Sequence, residues 1–417
     1  MTTLNSDFIK PQYGQGCFAD IPMLTRSLLT GNPNSVTQLN SLSGLAEQYD
    51  VIILLFIDSF GWQFFEKYSQ DYPFLRRFQQ DGIAARWTSQ FPSTTTSHVT
   101  TIHTALPVGQ SGMYEWTYYE PLLDALIAPL LFSFAGTTHR DTLKGAGIQP
   151  DKLYPTQTFY QTLRQEGVAS HLFQHREYTP STYSDVVFQG AEVIPYRTLP
   201  EALSNLHLIL AQGQKPAYFF LYFDKIDTIN HAYGPTSPQS EAEITTLLTL
   251  LENQLLEPLG SLRHRNKTLL MVTADHGHIS VDPNTVVYLN LDPSLKDVIQ
   301  TFRKTRQGQP IVPAGSPRDM FLYIEADALS DAKHSLAQGL AGIADVVETD
   351  ELLALGYFGA PPFSPALTGR LGNLVILPYA GESVWWYEKG KYSMTSYGYH
   401  GGLTRLEAEI PLLLLEL

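Results

Sequence analysis

Two short segments carry Asp and His side chains at spacings suited to binding a divalent metal ion. In TADHGH, residues 273–278, Asp275 stands beside His276 directly after an apolar run. In FDKIDTINHAYGP, Asp227 and His231 are four residues apart, so a helical turn between them would put both side chains on one face. Carboxylate oxygen and imidazole nitrogen are both zinc ligands. Each segment on its own is also compatible with an ordinary polar loop.

Two further segments add one candidate ligand each. IDSFGW places Asp58 at the end of the most apolar run in the chain, and YHGG contains His400 before two glycines. Taken alone, an Asp at such a position is more often a helix N-cap, and a lone His is more often a surface residue. Asp224 follows another apolar run, where a supporting or helix-capping carboxylate is the simpler interpretation.

A hydroxyl-rich segment, FPSTTTSHVTTIHTAL, is the candidate source of a nucleophile. We predict a helix from about Ser97, and the free N–H groups at a helix start, with the positive end of its dipole, favour a phosphate group. A threonine hydroxyl attacks phosphorus at neutral pH only when a base or metal activates it. Thr94, Thr95 and Thr96 all remain candidates at this point.

Composition limits the remaining possibilities. The 417 residues are 43% hydrophobic and carry a net charge of −14 without a basic run, which argues against a nucleic-acid-binding surface. Cys17 is the only cysteine, so a metal site must use Asp, His, Glu or Thr. The N-terminus lacks the pattern of a secretory signal, and no apolar run approaches about 18 residues. We therefore expect a cytoplasmic protein without a membrane segment.

The elements that must position these side chains are strands of a parallel sheet. Apolar runs predict buried strands over Val51–Ile57, Ala217–Phe223 and Thr268–Thr273, each ending at an Asp-containing cluster. Ligands collect beyond the carboxyl ends of such strands. We predict an α/β fold with a mostly parallel central sheet flanked by helices.

Other elements are predicted from weaker patterns. Helix spacing of apolar residues predicts a helix over Ser240–Leu259, and short apolar runs predict strands over Asp319–Ile324, Asn373–Leu377 and, at an edge or as a late addition, Pro411–Leu415. Irregular composition predicts an inserted cap at about 130–200 and a small lobe at about 283–392, within one domain covering 1–417. The cap supplies candidate groove residues: His139, Arg140, His175 and Arg176.

The order of these clusters resembles the alkaline phosphatase superfamily, most closely its type I phosphodiesterase and nucleotide pyrophosphatase branch. The resemblance implies an alkaline-phosphatase-like core and two divalent metal ions, zinc being favoured, with manganese or iron as alternatives. It assigns one metal to Asp227, His231 and His400. It assigns the other to Asp58, Asp275, His276 and Thr95. The family nucleophile precedes a Thr by nine residues and a Gly by seventeen, which selects Thr95 from Thr104 and Gly112.

The resemblance implies hydrolysis of phosphate esters through a phosphothreonine intermediate, with a phosphodiester or nucleotide pyrophosphate as substrate. One family feature is missing. The Asn expected about twenty-one residues after the nucleophile falls in Met113, Tyr114, Glu115 and Trp116. A phosphomonoesterase remains the main alternative; a metal-dependent phosphomutase or a non-catalytic metal-binding protein fits less well. The expected partner is a small phosphate ester or nucleotide, and the oligomeric state stays open.

Overall fold

The computed structural model describes residues 4–260 and 266–417. The strands are β1 (Val51–Ile57), β2 (Ile83–Thr88), β3 (Tyr118–Glu120), β4 (Ala125–Ala128), β5 (Ser133–Phe134), β6 (Ala169–His175), β7 (Glu192–Tyr196), β8 (Ala217–Phe223), β9 (Thr268–Thr273), β10 (Ile279–Ser280), β11 (Val287–Tyr288), β12 (Ala314–Ser316), β13 (Asp319–Leu322), β14 (Ala344–Glu348), β15 (Leu374–Pro378), β16 (Val384–Trp385), β17 (Gly398–Tyr399) and β18 (Glu409–Glu416).

The helices are α1 (Ile21–Thr30), α2 (Trp62–Tyr68), α3 (Pro73–Gln80), α4 (Thr95–Thr104), α5 (Val108–Ser111), α6 (Phe159–Gln165), α7 (Thr182–Val187), α8 (Leu199–Leu210), α9 (Lys225–Tyr233), α10 (Pro238–Leu251), α11 (Glu257–Gly260), α12 (Leu329–Gly339), α13 (Thr349–Ala354), α14 (Pro365–Arg370) and α15 (Arg405–Ala408). Within the described ranges, no helix combines the length and apolar character needed to cross a bilayer.

A seven-stranded sheet forms the centre of the fold, in the order β2-β18-β9-β1-β8-β6-β7. The five strands from β9 to β7 are parallel to one another, and β18 is antiparallel to both β2 and β9. Every residue of β1 and β8 is buried, as expected for parallel strands covered on both faces. The predicted bounds of β1, β8 and β9 are confirmed, as is the mostly parallel α/β architecture.

The predicted edge position of the last strand is wrong. β18 lies between β2 and β9, one strand in from the edge. Its residues from Glu409 to Leu415 are all buried, because an apolar run with no polar alternation needs cover on both faces and a neighbour on both sides.

Part of the predicted cap belongs to the central sheet. β6 and β7 fall within 130–200, yet β6 pairs with β8 in parallel and β7 forms the sheet edge. His171 and Gln174 interrupt the apolar pattern of β6, which hides this strand in the sequence. The bounds 130–200 therefore fail for Ala169–Tyr196, while a cap outside those strands stays a prediction.

Residues of the predicted lobe build a second sheet, in the order β12-β13-β15-β14. It has a hydrophobic cluster of its own that includes Leu322, Ile376 and Trp385. The observed bounds of the strands predicted there differ slightly from the prediction and are Asp319–Leu322 and Leu374–Pro378.

The helix predicted over Ser240–Leu259 begins at Pro238. It continues beyond Leu251 as the π-helical segment Glu252–Leu256 and α11. The division into core and lobe stays a prediction.

A buried ion pair joins this second sheet to the loop that carries His400. The guanidinium of Arg318 donates two hydrogen bonds of 2.9 Å to the carboxylate of Glu407, and both side chains are fully buried. Glu407 also accepts hydrogen bonds from Gly402 N–H, 3.1 Å, and from the Thr404 hydroxyl, 2.6 Å. The pair thus fixes the backbone that follows His400.

We predict that Arg318→Met lowers the free energy of unfolding by about 3 to 5 kcal/mol, because Glu407 would be left as a buried, unpaired charge. Denaturant titration measures the change. Arg77→Met is the matched control, since Arg77 pairs with Asp81 at the surface and should contribute less than about 1 kcal/mol. Equal losses in the two variants would contradict the structural role of the buried pair.

Candidate active site

The candidate site lies at the carboxyl ends of β1, β8 and β9. Asp58 follows β1 directly, Asp227 lies in the first turn of α9 after β8, and Asp275 follows β9 by one residue. β1 is the middle strand of these three, so their ends meet at one edge of the sheet. Asp58 is not a helix N-cap, because Gly61 occupies that position for α2.

One group of side chains is centred on the Asp227 carboxylate. Its Oδ1 atom lies 3.6 Å from His231 Nε2 and 3.7 Å from His400 Nε2. His278 joins the same group, with Nδ1 3.7 Å from that oxygen. One atom from each of these four residues lies within 4.8 Å of the others, a spacing compatible with a shared metal ion. The structure therefore brings together Asp227, His231 and His400, the three residues that the resemblance assigns to one metal, and their role as its ligands stays a prediction.

A second group adjoins the first. Asp58, Asp227 and His276 also offer ligand atoms within 4.8 Å of one another. His276 Nε2 lies 3.5 Å from Asp58 Oδ1, 3.3 Å from Asp275 Oδ2 and 3.3 Å from the Thr95 hydroxyl. All residues predicted for the second metal thus meet around one imidazole nitrogen. Asp227 belongs to both groups, which places the two candidate ion positions next to each other.

Backbone carbonyls fix the orientation of three imidazoles. Nδ1 of His231 lies 3.0 Å from Gly398 O, Nδ1 of His276 lies 3.0 Å from Gly277 O, and Nδ1 of His400 lies 2.9 Å from Ser93 O. A carbonyl oxygen only accepts, so each Nδ1 carries the proton and each Nε2 keeps a free lone pair. This is the tautomer that a metal ligand requires.

Several buried atoms at this site lack a protein partner. Among the described residues they include Asp58 Oδ1, Asp227 Oδ1, Asp275 Oδ2 and His278 Nε2. Burial also raises the pKa of Asp58 well above its usual range, a shift strengthened by Asp275 and Asp227, and it lowers the pKa of His276 well below its usual range. Unpaired carboxylate and imidazole atoms packed this closely fit divalent cations, which would neutralise the carboxylates and use the free lone pairs.

Protonation should couple this site to stability. Burial raises the pKa of Asp227 to about 8, with Asp224 adding to the shift, and raises that of Asp275 to about 7. The folded metal-free protein therefore holds these protons more tightly than the unfolded chain does. Binding of these two protons therefore increases the free energy of unfolding at low pH, and this contribution is lost as the pH rises through about 7 and 8. Burial lowers the pKa of His231, His276, His278 and His400, so these imidazoles are neutral in the folded protein over this range and do not oppose the trend.

We predict that the metal-free protein melts at a lower temperature at about pH 9 than at about pH 7.5. Metal affinity should change in the opposite direction, because the metal competes with these protons and binds better as they leave. Calorimetric melting of metal-free protein across this range is the measurement. A melting temperature that stays constant or rises would contradict the predicted protonation, and Asp227→Asn should flatten the slope.

His278 was missed by the sequence analysis. It is the last residue of TADHGH, and the pattern was used only for Asp275 and His276. Its Nδ1 lies 2.5 Å from the Ser59 hydroxyl, and the oxygen of that hydroxyl accepts a 3.1 Å hydrogen bond from the Asn230 amide. A signal was present, since a His two residues beyond another His in an extended segment returns to the same side of the chain.

Thr95 is the most accessible of the three candidate threonines. α4 begins at Thr95, two residues before the predicted start, and Thr94 is its N-cap residue without a side-chain capping bond. Thr94 and Thr96 are buried, with 2% and 0% of their surface exposed, whereas Thr95 is partly exposed. The first N–H groups of a helix have no acceptor within the helix, so those of α4 are available to donate to a group bound at Thr95.

Two tyrosines support the carboxylates from the neighbouring strand and loop. The Tyr222 hydroxyl, on β8, donates a hydrogen bond to Asp58 Oδ2, and the Tyr178 hydroxyl donates one to Asp224 Oδ2. Asp224 is buried and lies at the N-cap position of α9. Its place beside Tyr178, outside both candidate metal groups, agrees with a supporting role.

Two cavities meet at Thr95. The aromatic cavity, about 200 Å³, is lined on its apolar side by Tyr178, Tyr183, Phe188 and Tyr222. The hydroxyl cavity, about 570 Å³, is lined by residues that include Thr117, Ser316, Ser396 and Tyr399. Thr95, Trp116 and Asp227 line both cavities. A substrate held at Thr95 thus has room for one substituent on each side.

The segment without the expected Asn contributes two residues to this region. Trp116 stands at the boundary of the two cavities with 47% of its surface exposed. Glu115 is buried on the wall of the hydroxyl cavity. Burial raises the pKa of its carboxyl to about 7, although hydrogen bonds, including one from Trp116 N–H, act to lower that pKa. Neither residue was assigned a role from the sequence.

The four candidate groove residues of the cap lie in different places, and only two of them line one of the cavities described here. Arg140 lines the aromatic cavity, and His175 lines an adjoining cavity of about 300 Å³ behind Asp224. His139 and Arg176 line neither of these cavities. Of the four, Arg140 alone lies beside the cavities that reach Thr95.

The fold and the site together define an alkaline-phosphatase-like α/β protein with clustered metal-ligand residues at its strand ends. The family profile described as type I phosphodiesterase / nucleotide pyrophosphatase matches residues 52–402. The chain belongs to the type I phosphodiesterase and nucleotide pyrophosphatase family, within the alkaline phosphatase superfamily.

Curated relatives and solved structures agree with this placement. A venom phosphodiesterase, CdcPDE, of Crotalus durissus collilineatus is 26% identical over 244 residues, 57% of this chain but only 27% of the relative. The chain thus matches about a quarter of that protein's length. Murine ectonucleotide pyrophosphatase / phosphodiesterase 5, solved as an inactive form in complex with AMP, has a TM-score of 0.63 at 17% identity and covers 88% of this chain and 87% of that chain. Phosphonoacetate hydrolase from Sinorhizobium meliloti 1021, in complex with phosphonoformate, has a TM-score of 0.59 at 15% identity over 88% and 89% of the two chains.

Proposed function

We propose that the protein hydrolyses phosphodiesters or nucleotide pyrophosphates at a dinuclear metal site, through a covalent intermediate on Thr95. The observation that carries this proposal is the meeting of two cavities at one accessible threonine hydroxyl, beside two groups of metal-ligand residues. A diester or pyrophosphate has a substituent on each side of the reacting phosphorus, and each cavity accepts one. A monoester needs only one.

Two sets of residues would each hold one metal ion. Asp227, His231 and His400, with His278 adjacent, would hold one ion; Asp58, Asp275, His276 and the Thr95 oxygen would hold the other. Zinc fits this nitrogen and oxygen donor set, and manganese or iron are alternatives. Such ions supply positive charge for the attacking and departing oxygens.

Thr95 attacks the phosphorus, a bond from its oxygen to phosphorus forms, and the bond to the leaving oxygen breaks. For a diester, the retained substituent stays on the phosphorus. Water then attacks the phosphorus, the bond from phosphorus to the Thr95 oxygen breaks, that oxygen regains a proton, and a phosphate monoester is released. The N–H groups at the start of α4 have no acceptor within the helix and would donate to a non-bridging oxygen, which offsets its negative charge. In this way they would partly replace the hydrogen bond to a phosphoryl oxygen that the Asn supplies in other members of the family.

Parallel rates on three substrates test the proposal. We expect hydrolysis of an aryl nucleotide diester to exceed that of an aryl monoester by at least about tenfold in kcat/KM, a difference of about 1.4 kcal/mol, because only the diester fills both cavities. An aryl phosphonate monoester completes the series, and metal content is measured on the same samples. A monoester preference would identify a phosphomonoesterase instead, and no activity from fully metal-loaded protein on any of the three would contradict a hydrolytic function.

A further inference from the structure

The hydroxyl cavity has the chemistry of a site for a neutral polar group. Half of the residues that line it carry a hydroxyl. Within the described chain, the hydroxyls of Thr138, Tyr392, Ser393, Ser396 and Tyr399 form no hydrogen bond to another protein group. Each can both donate and accept, so together they match a ligand that presents several donors and acceptors at once.

The charges around the cavity argue against a polyanionic occupant. Lys391 is the only lysine or arginine among its described lining residues, and its Nζ atom lies 2.6 Å from the Glu388 carboxylate. Glu115 adds an acidic group to the wall. A second phosphate beyond the reacting one would find no free cationic side chain here.

Trp116 supplies an apolar surface beside these polar groups. Trp116 is 47% exposed, and its indole makes no ring contact or hydrogen bond with the rest of the described chain. An indole offers a flat apolar face and one N–H donor. Sugar rings combine an apolar C–H face with hydroxyl groups at their edge, and both features then have a counterpart in the cavity wall.

We propose that the hydroxyl cavity binds a sugar or other polyhydroxylated alcohol esterified to the reacting phosphate, with Trp116 as the specificity-determining residue. This inference rests on the proposed function, because the phosphate must lie at Thr95. Thr95, the attacking residue, belongs with the ligands of the other ion, so the ion held by Asp227, His231 and His400 would face the departing oxygen. These three residues line the hydroxyl cavity, which places the polyol on the leaving-group side. The Thr95 hydroxyl gives its proton to water as its oxygen bonds to phosphorus. The phosphorus–oxygen bond to the polyol breaks, and the departing oxygen takes a proton from water.

Two matched diesters test the proposal on the metal-loaded protein. Both contain uridine 5′-phosphate; one is esterified to O6 of methyl glucoside, the other to methanol, and release of uridine 5′-phosphate is measured for each. We expect the glucoside diester to have at least about tenfold higher kcat/KM, because the sugar ring packs on the Trp116 indole, and this contact holds its hydroxyls against those of the cavity. Trp116→Ala should reduce this ratio to within about threefold of unity. Leu208→Ala, at an exposed position of α8 outside both cavities, should keep the wild-type ratio.

Calorimetric binding to metal-loaded Thr95→Ala protein separates this inference from the proposed function. Tighter binding of the glucoside diester by about tenfold, lost in the double variant with Trp116→Ala, supports the polyol site even if neither diester is hydrolysed. Hydrolysis of both diesters with equal kcat/KM, together with equal binding, would leave the proposed function intact and overturn the polyol site. An unchanged ratio in Trp116→Ala would overturn the role of Trp116.

Discussion

Thr95→Ala should lower turnover by about 10³- to 10⁴-fold or more, a loss of about 4 to 6 kcal/mol in transition-state stabilisation. The substitution removes the attacking oxygen and leaves the imidazole and carboxylate groups around His276 in place. Metal should still bind, with weaker retention at the group that contains Asp58. Steady-state rates on the preferred diester, measured with metal content, give both quantities.

The neighbouring threonines are matched controls for this substitution. Thr94→Ala and Thr96→Ala should have far milder effects, because both side chains are buried and neither hydroxyl lies against His276. Thr95→Ser should retain part of the rate, since it restores a hydroxyl. An inactive Thr94→Ala variant beside an active Thr95→Ala variant would place the nucleophile one residue earlier. Activity in all three alanine variants would contradict covalent catalysis.

Removal of the metal should abolish activity and lower the melting temperature. A ligand that binds only the folded state stabilises it by mass action, by about 4 kcal/mol when its free concentration is a thousand times Kd. Chelation followed by differential scanning calorimetry measures the loss, and re-addition of zinc should restore both activity and stability. Full activity in protein shown to be metal-free would contradict the dinuclear site.

Asp227→Asn tests directly whether two metal ions are bound side by side, because Asp227 belongs to both groups of candidate ligands. We expect it to weaken binding of both ions together and to reduce kcat by at least about 10²-fold through the loss of that charge. Asp331→Asn, an exposed carboxylate on α12, is the matched control and should change neither property. Loss of only one ion in Asp227→Asn would show that the two positions are occupied independently.

The sequence alone predicted those strands and site residues that have a strong local pattern. Uninterrupted apolar runs identified β1, β8 and β9, since strands covered on both faces need apolar residues at every position. The polar residues just beyond these strands then had to meet at one edge of the sheet, which brought Asp58, Asp227 and Asp275 together. The pairing of His231 with Asp227 followed from helix spacing alone.

Other features depend on contacts between distant segments, which local patterns do not encode. β6 contains buried polar residues, and only its pairing with β8 reveals it as a strand of the central sheet. The position of Trp116 between two cavities arises where the segment after α5 meets the second sheet and the loop before His400. Glu115 gains its raised pKa from that burial, which the sequence does not display.

The stereochemical course at phosphorus tests the central claim most directly. A chiral phosphorothioate diester of uridine, hydrolysed by the metal-loaded protein in water enriched in ¹⁸O, yields a product whose configuration is read by ³¹P NMR. Attack by Thr95 followed by attack of water consists of two in-line displacements, each of which inverts the phosphorus, so the account predicts net retention. Net inversion would show a single displacement by water and would contradict a covalent intermediate on Thr95.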